Sequence, residues 1–281
     1  MKYVLAEYAS KKENPLKRLL RKTGMYNKYE LNDIKIFGTE GYSVTLPFLQ
    51  EEIEDLDLCI RQTEKVLKYI KKKCGDVEYC LPCELRGIGG RNGMDTSALA
   101  ACGVFRAITE KMDMKYIKVA LIGRDTKAVL TVLDGIYDGL NSLSVLAETD
   151  AAIEAKAREV YSETGLDVIF ITGLKNPVFM EADIVINCGV DITGSINAIK
   201  KGATYITFKP DTYIKEERND INTISLDEIK TREGVFKAAV VEAVLCAGNY
   251  GYRNFVSSRY YKDKAKRAED ALKDVLLIDI C

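Results

Sequence analysis

The sequence predicts an α/β protein whose second half contains a parallel β-sheet. Between residues 115 and 212, five short apolar runs alternate with helical patterns. The first run ends at Gly123 and leads at once into a helical pattern, which is the opening of a βαβ unit. Strands that alternate with helices form a parallel sheet with right-handed crossovers and with helices on both faces.

The strands predicted in this stretch are 117–122, 144–147, 167–171, 183–187 and 204–208. The helices between them are predicted at 127–141, at 151–163, where Gly165 ends the helix, and around 195–201. Apolar residues at helical spacing define the first of these helices, and glycine after the last periodic residue is a typical helix end.

The N-terminal part is less regular. Strands are predicted at 3–6, 28–31 and 42–46, and a basic helix at 15–23. An amphipathic helix is predicted at 51–73 and another helix at 96–112; two more follow the sheet, at 234–249 and 262–275. We therefore expect an α/β domain over residues 1–110, completed by residues 235–281 as the last helices pack back on it, and a parallel-sheet domain over 111–234.

Composition excludes several classes of function. A net charge of −1 gives no general reason to expect nucleic acid or an anionic membrane as a partner, and no apolar run reaches membrane-spanning length. The N-terminus is too polar for a signal peptide, so the eight cysteines are expected to be reduced in a cytoplasmic protein. Because the chain has no histidine, acid–base chemistry would have to use Lys, Asp, Glu, Tyr or Cys.

The pair Cys80-Leu-Pro-Cys83 invites a metal or a redox interpretation. A zinc site needs four ligands, and the chain has neither a second matching pair nor a histidine. The strand-then-helix context of a redox pair is also missing. We expect no metal site and interpret these residues as free thiols.

The loop after the first strand of the parallel sheet departs from the usual dinucleotide site. Such a site has further glycines there, so that backbone N–H groups approach the pyrophosphate. This chain instead has Arg124, Asp125, Thr126 and Lys127. Asp125 would repel a phosphate, whereas Arg124 or Lys127 could pair with one.

Four segments resemble the shikimate dehydrogenase family, in the same order along almost the whole chain. Residues 41–48, Gly-Tyr-Ser-Val-Thr-Leu-Pro-Phe, are similar to a G-x-N-V-T-x-P-F element that borders the family's substrate pocket. Residues 92–95 resemble an N-T-D motif, and residues 182–187, Ala-Asp-Ile-Val-Ile-Asn, match a strand leading to the nicotinamide. The helix from Gly234 stands where a family helix closes the pocket. The chain thus resembles a divergent member of that family.

The resemblance implies an N-terminal α/β substrate domain and a Rossmann-like domain facing each other across a cleft. Residues 41–49, 95 and 123–126 would line its walls. It also implies an oxidoreductase that moves a hydride between a nicotinamide cofactor and a small hydroxy or amino acid. The site residues it implies are Asp95 as catalytic, Asn14, Ser43, Thr45, Asn92 and Glu242 as substrate-binding, and Gly123, Arg124, Thr126, Glu148, Asn187 and Cys188 as cofactor-binding.

NAD is favoured over NADP as the cofactor. Glu148, after the second strand of the parallel sheet, could accept a hydrogen bond from a ribose 2′-hydroxyl and would reject a 2′-phosphate. The family has an N-R-T sequence at this place, which suits NADP. That the chain binds no dinucleotide is the alternative.

The chain departs from the family at its catalytic lysine. That position carries Leu49, which cannot hold a proton, and Lys12-Glu13-Asn14-Pro15 replaces a serine motif that holds the substrate carboxylate. Lys12, Lys17 or a tyrosine could supply the acid–base group. Thr45 could simply be a β-branched strand residue, and Asp95 a helix N-cap.

Three functions therefore stay open at this point. The first is a divergent oxidoreductase of this kind, and the second a catalytically inactive relative that binds or senses a small molecule. The third is a different reaction on a ligand held by Arg124 and Lys127. A small-molecule ligand and a homodimer are the expected partners.

Overall fold

The computed structural model describes residues 1–10, 16, 20, 29–148, 150–209 and 218–277, apart from the side chains of Cys83 and Arg86. Its contacts divide the chain into two compact units. The first comprises Met1–Asn92 with Ala239–Arg253, and the second Gly93–Ala238 with Asn254–Cys281. The segment after the large sheet is thus shared between the two units.

The described strands are β1 (Lys2–Glu7), β2 (Leu31–Ile36), β3 (Thr39–Thr45), β4 (Val77–Cys80), β5 (Lys118–Gly123), β6 (Ser142–Ala147), β7 (Val168–Phe170), β8 (Ile184–Cys188), β9 (Thr204–Thr207), β10 (Asn222–Ser225), β11 (Glu228–Thr231) and β12 (Gly234–Lys237). The described α-helices are α1 (Leu56–Cys74), α2 (Met94–Thr109), α3 (Thr126–Ile136), α4 (Ala151–Thr164), α5 (Pro177–Met180), α6 (Ala238–Gly248), α7 (Tyr250–Ser257) and α8 (Lys262–Lys273). Short 3₁₀ segments lie at Gln50–Glu54, Cys83–Ile88, Met114–Tyr116 and Thr193–Ala198.

The first unit is built on a four-stranded mixed sheet in the order β2-β3-β1-β4. Strand β1 runs parallel to both β3 and β4, whereas β2 is antiparallel to β3. One face forms an apolar core in which Val4 and Val44 pack against Val66 and Ile70 of α1. On the other face, Leu5 and Cys80 cluster with apolar residues of α6.

The second unit is built on a six-stranded sheet in which every pair of neighbours is parallel. Its order is β10-β9-β8-β5-β6-β7. Counted from β5 as the first strand, this is the order 3-2-1-4-5-6 of the Rossmann fold. The order reverses between β5 and β8, and in such sheets ligands bind outside the carboxyl ends of the strands at that reversal.

The predicted α/β class with a Rossmann-like parallel sheet is confirmed. The five strands predicted for this sheet are all present, to within a few residues, and the structure adds β10 as a sixth. Helix α2 packs against α3, and α8 packs against both, which is why α2 and α8 fall within the second unit.

Several local predictions were wrong. Residues 234–237, predicted as the start of a helix, form β12, which pairs with β11, and α6 begins only at Ala238. The strand predicted at 28–31 begins instead at Leu31, and the long helix predicted from residue 51 begins at Leu56, where Asp55 caps it. Most of the basic helix predicted at 15–23 lies outside the described residues.

Across the described ranges, the helices include none with both the length and the apolar character needed to cross a membrane.

Candidate functional site

The carboxyl end of β5 is held tightly against its neighbours. Gly123 pairs with Cys188 of β8 and is buried. A Cβ atom on Gly123 would lie 2.4 Å from Val129 Cγ2 and 3.1 Å from Cys188 Cβ. The glycine is therefore required for close packing of strand and helix, which is one of the roles of glycine in a Rossmann turn.

Asp125 closes the amino end of α3. Its carboxylate accepts a hydrogen bond of 2.7 Å from the backbone N–H of Ala128. The first N–H groups of a helix have no partner within the helix, and an aspartate at the N-cap is among the best residues to satisfy one. In a dinucleotide site this position receives the pyrophosphate, so a fixed negative charge stands where a phosphate would bind.

The neighbouring junction, between β6 and α4, is built in the same way. Asp150 caps α4 by accepting from Ala152 N at 2.7 Å, and its second oxygen accepts from the Thr126 hydroxyl at 2.7 Å. These hydrogen bonds, the one from Thr126 first, lower the pKa of Asp150. The two junctions are thus joined by a direct side-chain hydrogen bond.

Glu148 and Arg124 also face each other at this edge of the sheet. Arg124 Nε lies 3.9 Å from Glu148 Oε1, and 79% and 78% of the two side chains are exposed. An exposed pair at this distance contributes little to stability. Both groups can therefore turn towards a ligand, Glu148 as an acceptor for hydroxyl groups and Arg124 as a partner for an anion.

The Lys127 ammonium is not available to pair with a ligand at the carboxyl edge of the sheet. Its ammonium donates to Asp95 Oδ2 at 3.0 Å and to the backbone carbonyl oxygens of Phe255 and Val256, the latter at 3.1 Å. It also lies 4.1 Å from the centre of the Phe255 ring. Three acceptors match the three protons of an ammonium, so Lys127 ties α2, α3 and the end of α7 together.

Asp95 lies in the first turn of α2 and not at the N-cap, which is Gly93 in a left-handed conformation. The interpretation of Asp95 as an N-cap was therefore wrong. Only 13% of its side chain is exposed, and the ion pair with Lys127 holds it. Its catalytic role stays a prediction.

Asn187 and Cys188 end β8 with buried side chains. The Asn187 amide donates to Val190 O at 2.8 Å and to the Tyr205 hydroxyl at 2.6 Å, and its oxygen accepts from Val190 N at 2.9 Å. Burial raises the pKa of the Cys188 thiol well above its ordinary value. The side chain of Asn187 thus shapes the turn, and a cofactor would meet this strand end through the backbone.

In the first unit, Ser43 and Thr45 lie on one face of β3. They pair with Leu5 and Glu7 of β1, and Gly41 precedes them in the same row. A Cβ atom on Gly41 would lie 2.5 Å from the Tyr3 ring, so the glycine makes room for that ring. Both residues are partly exposed, as a role in binding requires.

Glu242 of α6 is almost completely buried, with 2% of its surface exposed. A second buried acid of this unit, Glu78, pairs with Arg91 at 2.7 Å and with Arg253 at 3.4 Å. Asn92, next to Arg91, is exposed, and the predicted Asn14 lies outside the described residues.

Leu49 stands at the N-cap position of the first 3₁₀ segment, where its N–H donates to Glu52 Oε2 at 2.7 Å.

Within the described part of the chain, no three acidic or cysteine side chains form a cluster that could hold a metal ion. Cys80 is buried, and its thiol donates to the backbone oxygen of Leu81 at 3.8 Å. The side chain of Cys83 lies outside the described atoms.

No protein-family model and no curated protein sequence matches the chain. Among solved structures, it is similar to the L-tryptophan dehydrogenase from Nostoc punctiforme, with 14% identity, coverage of 97% of this chain and 80% of that one, and a TM-score of 0.40. The shikimate dehydrogenase of Mycobacterium tuberculosis matches with 10% identity over 96% and 100% of the two chains at a TM-score of 0.37. The 5-ketofructose reductase of a Gluconobacter species matches with 10% identity over 96% and 98% at a TM-score of 0.35. Because these TM-scores lie below 0.5, nothing further rests on them.

The sequence alone did not indicate that Asp125 and Asp150 are both helix caps or that Thr126 joins them. A signal for the caps was present, since Asp150 stands directly before one predicted helix and Asp125 two residues before the other. Two contacts connect elements that are separate in sequence: the hydrogen bond from Thr126 to Asp150 and the ion pair of Lys127 with Asp95. No local sequence pattern predicts such contacts.

Proposed function

We propose that the chain is an oxidoreductase of the nicotinamide-dependent dehydrogenase kind that acts on a small hydroxy or amino acid. The observation that carries this proposal is the Rossmann strand order together with the exposed carboxylate of Glu148 at the end of β6. An acid at the end of the second strand is the group that accepts from the ribose of NAD.

The charges at this edge favour NAD over NADP. Glu148 would accept from the 2′-hydroxyl of the adenosine ribose, and a 2′-phosphate would meet its negative charge. Arg124, on the same edge, would pair with the pyrophosphate. Asp125 opposes that pairing, so the proposal predicts weaker dinucleotide binding than a glycine-rich turn gives.

The substrate would be bound by polar groups of the first unit. Ser43 and Thr45 offer hydroxyls that donate to a carboxylate or hydroxyl group. Leu49 cannot exchange a proton, and Lys12 and Lys17, the proposed replacements, lie outside the described residues. Proton transfer is thus assigned to a group other than residue 49.

The test is a search for hydride transfer. The purified chain is mixed with NAD⁺ or NADP⁺ and a panel of 2-hydroxy acids, cyclic hydroxy acids and amino acids, and the absorbance of the reduced cofactor at about 340 nm is followed. The proposal predicts turnover of at least one compound with NAD⁺ in preference to NADP⁺. Absence of turnover across the panel, with no binding of either reduced cofactor, would reject it.

A second candidate is a non-catalytic relative that binds a small molecule. The observations that favour it are the Asp125 carboxylate at the amino end of α3 and the leucine at position 49, which are separate defects in the two halves of a dehydrogenase site. Saturable binding of a panel compound, seen as a rise in melting temperature without turnover and without binding of NADH, would support this candidate.

A further inference from the structure

The two aspartate caps at the carboxyl edge of β5 and β6 differ in how many of their oxygens are used. Both oxygens of Asp150 accept hydrogen bonds, one from Ala152 N and the other from the Thr126 hydroxyl. Asp125 uses Oδ1, which accepts from Ala128 N at 2.7 Å. Its second oxygen accepts no hydrogen bond from any residue that the structure describes. Asp125 therefore keeps a free acceptor oxygen at the amino end of α3.

Glu148 offers a second acceptor at the end of the neighbouring strand. Its side chain is 78% exposed, and its ion pair with Arg124 is long, at 3.9 Å. Gly123 of β5 pairs with Ala147 of β6, and neighbouring strands lie about 4.8 Å apart. Asp125 follows Gly123 by two residues, and Glu148 follows Ala147 directly. The two carboxylates thus stand at adjacent strand ends, a spacing that one ribose with its hydroxyl groups can span.

The charge of this edge opposes an anion. It carries three carboxylates, those of Asp125, Glu148 and Asp150. Of the two cations in the turn between β5 and α3, Lys127 is bound inside the unit and Arg124 lies beside Glu148. A dinucleotide would bring its pyrophosphate to the amino end of α3, where the Asp125 carboxylate already lies. The residues present fit the ribose of such a ligand and do not fit its phosphates.

Two leucines add an apolar surface at the same edge. Leu146 lies two residues before Glu148 near the end of β6, and Leu174 follows β7. Both are partly buried and pack against the core cluster that contains Ile122. Apolar surface combined with a few polar groups is the usual composition of a small-molecule site. In a nucleoside, the base is the part that would pack on this surface while the ribose meets the carboxylates.

We infer that this edge binds a nucleoside whose 5′ group is uncharged or positively charged, an inference that rests on the nucleotide site of the proposed function. The 2′-hydroxyl of the ribose donates to Glu148, and the 5′-hydroxyl or 5′-ammonium donates to the free oxygen of Asp125. Hydrogen bonds to an ionised carboxylate are stronger than those between neutral groups. A 5′-phosphate in the same place would bring acceptor oxygens and a like charge. Such a nucleoside would occupy the adenosine half of the position proposed for NAD and compete with it.

The first experiment compares three compounds that differ only at the 5′ position. Isothermal titration calorimetry of the full chain, at neutral pH and low salt, measures the dissociation constants of adenosine, AMP and 5′-amino-5′-deoxyadenosine. AMP should bind at least about five-fold more weakly than adenosine, and the amino compound at least about five-fold more tightly, because the charge near Asp125 changes. The inference is overturned if AMP binds as tightly as adenosine, if the amino compound gains nothing, or if adenosine does not bind at millimolar concentration.

Asp125→Asn and a matched control locate this effect. Asparagine caps a helix as well as aspartate does, so the variant removes the charge and keeps the cap. The differences in affinity between the three compounds should shrink at least about three-fold in Asp125→Asn. Asp138→Asn, which removes an exposed acid beyond the opposite end of α3, should retain them. Undiminished differences in Asp125→Asn would contradict the placement of the 5′ group.

The compound 2′-deoxyadenosine tests the ribose contact. It lacks the hydroxyl that donates to Glu148 and should bind about three-fold to five-fold more weakly than adenosine. In Glu148→Gln, which replaces the charged acceptor by a neutral one, this difference should become smaller. Equal affinity of the wild-type chain for the two nucleosides would contradict the placement of the ribose.

These titrations do not require hydride transfer, so they distinguish failure of the nucleoside site from failure of the dehydrogenase. Nucleoside binding in the expected order, without turnover and without binding of NADH, would reject the dehydrogenase and support the nucleoside site. Turnover with NAD⁺, together with tighter binding of AMP than of adenosine, would support the dehydrogenase and reject the nucleoside site.

Discussion

The two strand–helix junctions at the carboxyl edge of the large sheet are built alike but would face different parts of a dinucleotide. Asp125 caps α3 through Ala128 N, and Asp150 caps α4 through Ala152 N, each at 2.7 Å. In a dinucleotide site the first junction meets the pyrophosphate and the second the adenosine ribose. An acidic junction suits the ribose hydroxyls and opposes the pyrophosphate.

An aspartate cap therefore has opposite effects at the two junctions. It would favour a ribose at the second junction and oppose a pyrophosphate at the first. The junctions differ two residues after the cap, where α3 has Lys127 and α4 has Ala152. In α3 the positive charge that follows the cap is bound inside the unit and does not compensate Asp125. At the first junction, the cap and the internal contacts of Lys127 thus hold elements of the unit together, while the charge of Asp125 would oppose a phosphate.

The largest effect is expected for Lys127→Met, which removes the cation that α3 has and α4 lacks. It deletes three hydrogen bonds, one of them part of the ion pair with Asp95, whose side chain is 13% exposed. The free energy of unfolding in urea should fall by about 3–5 kcal/mol. The double variant Lys127→Met, Asp95→Asn should recover part of this loss. A single variant of wild-type stability with weakened NADH binding would instead assign Lys127 to the ligand.

Asp125→Asn tests the charge at the first junction without losing the cap, because asparagine caps as well as aspartate. Removing one negative charge at about 5 Å from a phosphate is worth about 1–3 kcal/mol. The affinity for NADH should rise roughly five-fold to one hundred-fold, measured by titration of the nicotinamide fluorescence. Asp150→Asn, the matched change at the second junction, should give no such gain. Equal affinity of wild type and Asp125→Asn would contradict the assignment of the phosphate position.

Glu148→Gln tests the second junction with a smaller effect. The loss of a charged acceptor that is 78% exposed should weaken NADH binding about three-fold to five-fold. The preference for NADH over NADPH should fall as well, because the 2′-phosphate no longer meets a negative charge. Parallel titrations with the two cofactors measure this ratio, and an unchanged ratio would exclude Glu148 from the ribose position.

The smallest effect concerns the pH dependence of the Asp150 cap. The hydrogen bond from Thr126 lowers the pKa of Asp150 in the folded chain, so its stabilising contribution is complete above the ordinary pKa of about 3.9 and is lost as the pH falls through the lowered value. The melting temperature of wild type should therefore approach that of Asp150→Asn as the pH is lowered from about 5 to about 2. A difference that stays constant over this window would show that the carboxylate does not titrate with this lowered pKa.

Much of the second unit could be predicted because its elements carry strong local patterns. Strands β5 and β8 are continuous apolar runs, and Gly165 marks the end of α4. Strand β10 was not predicted, because it is short, largely polar and at the edge of the six-stranded sheet. Residues 234–237 were interpreted as helix because their pattern continues into α6, while the pairing of β12 with β11 is decided by contacts between strands.

The candidate site could be predicted only in part. The residues at the strand ends followed from the strand assignment and from the resemblance, and Asp125 was recognised as a charge that opposes phosphate. The partners of Lys127 lie 32, 128 and 129 residues away in sequence, so no local pattern predicts that its ammonium is bound internally. Likewise, the burial of Glu242 depends on the packing of α6 in the first unit and not on its own sequence neighbours.

The most direct test of the account is amide hydrogen exchange of the wild-type chain with and without saturating NADH. Dinucleotide binding at the two junctions predicts slower exchange of the backbone N–H groups in 123–129 and 147–153, with a stronger effect at the first segment in Asp125→Asn. Unchanged exchange in both segments at millimolar NADH, for the wild type and for that variant, would contradict the account.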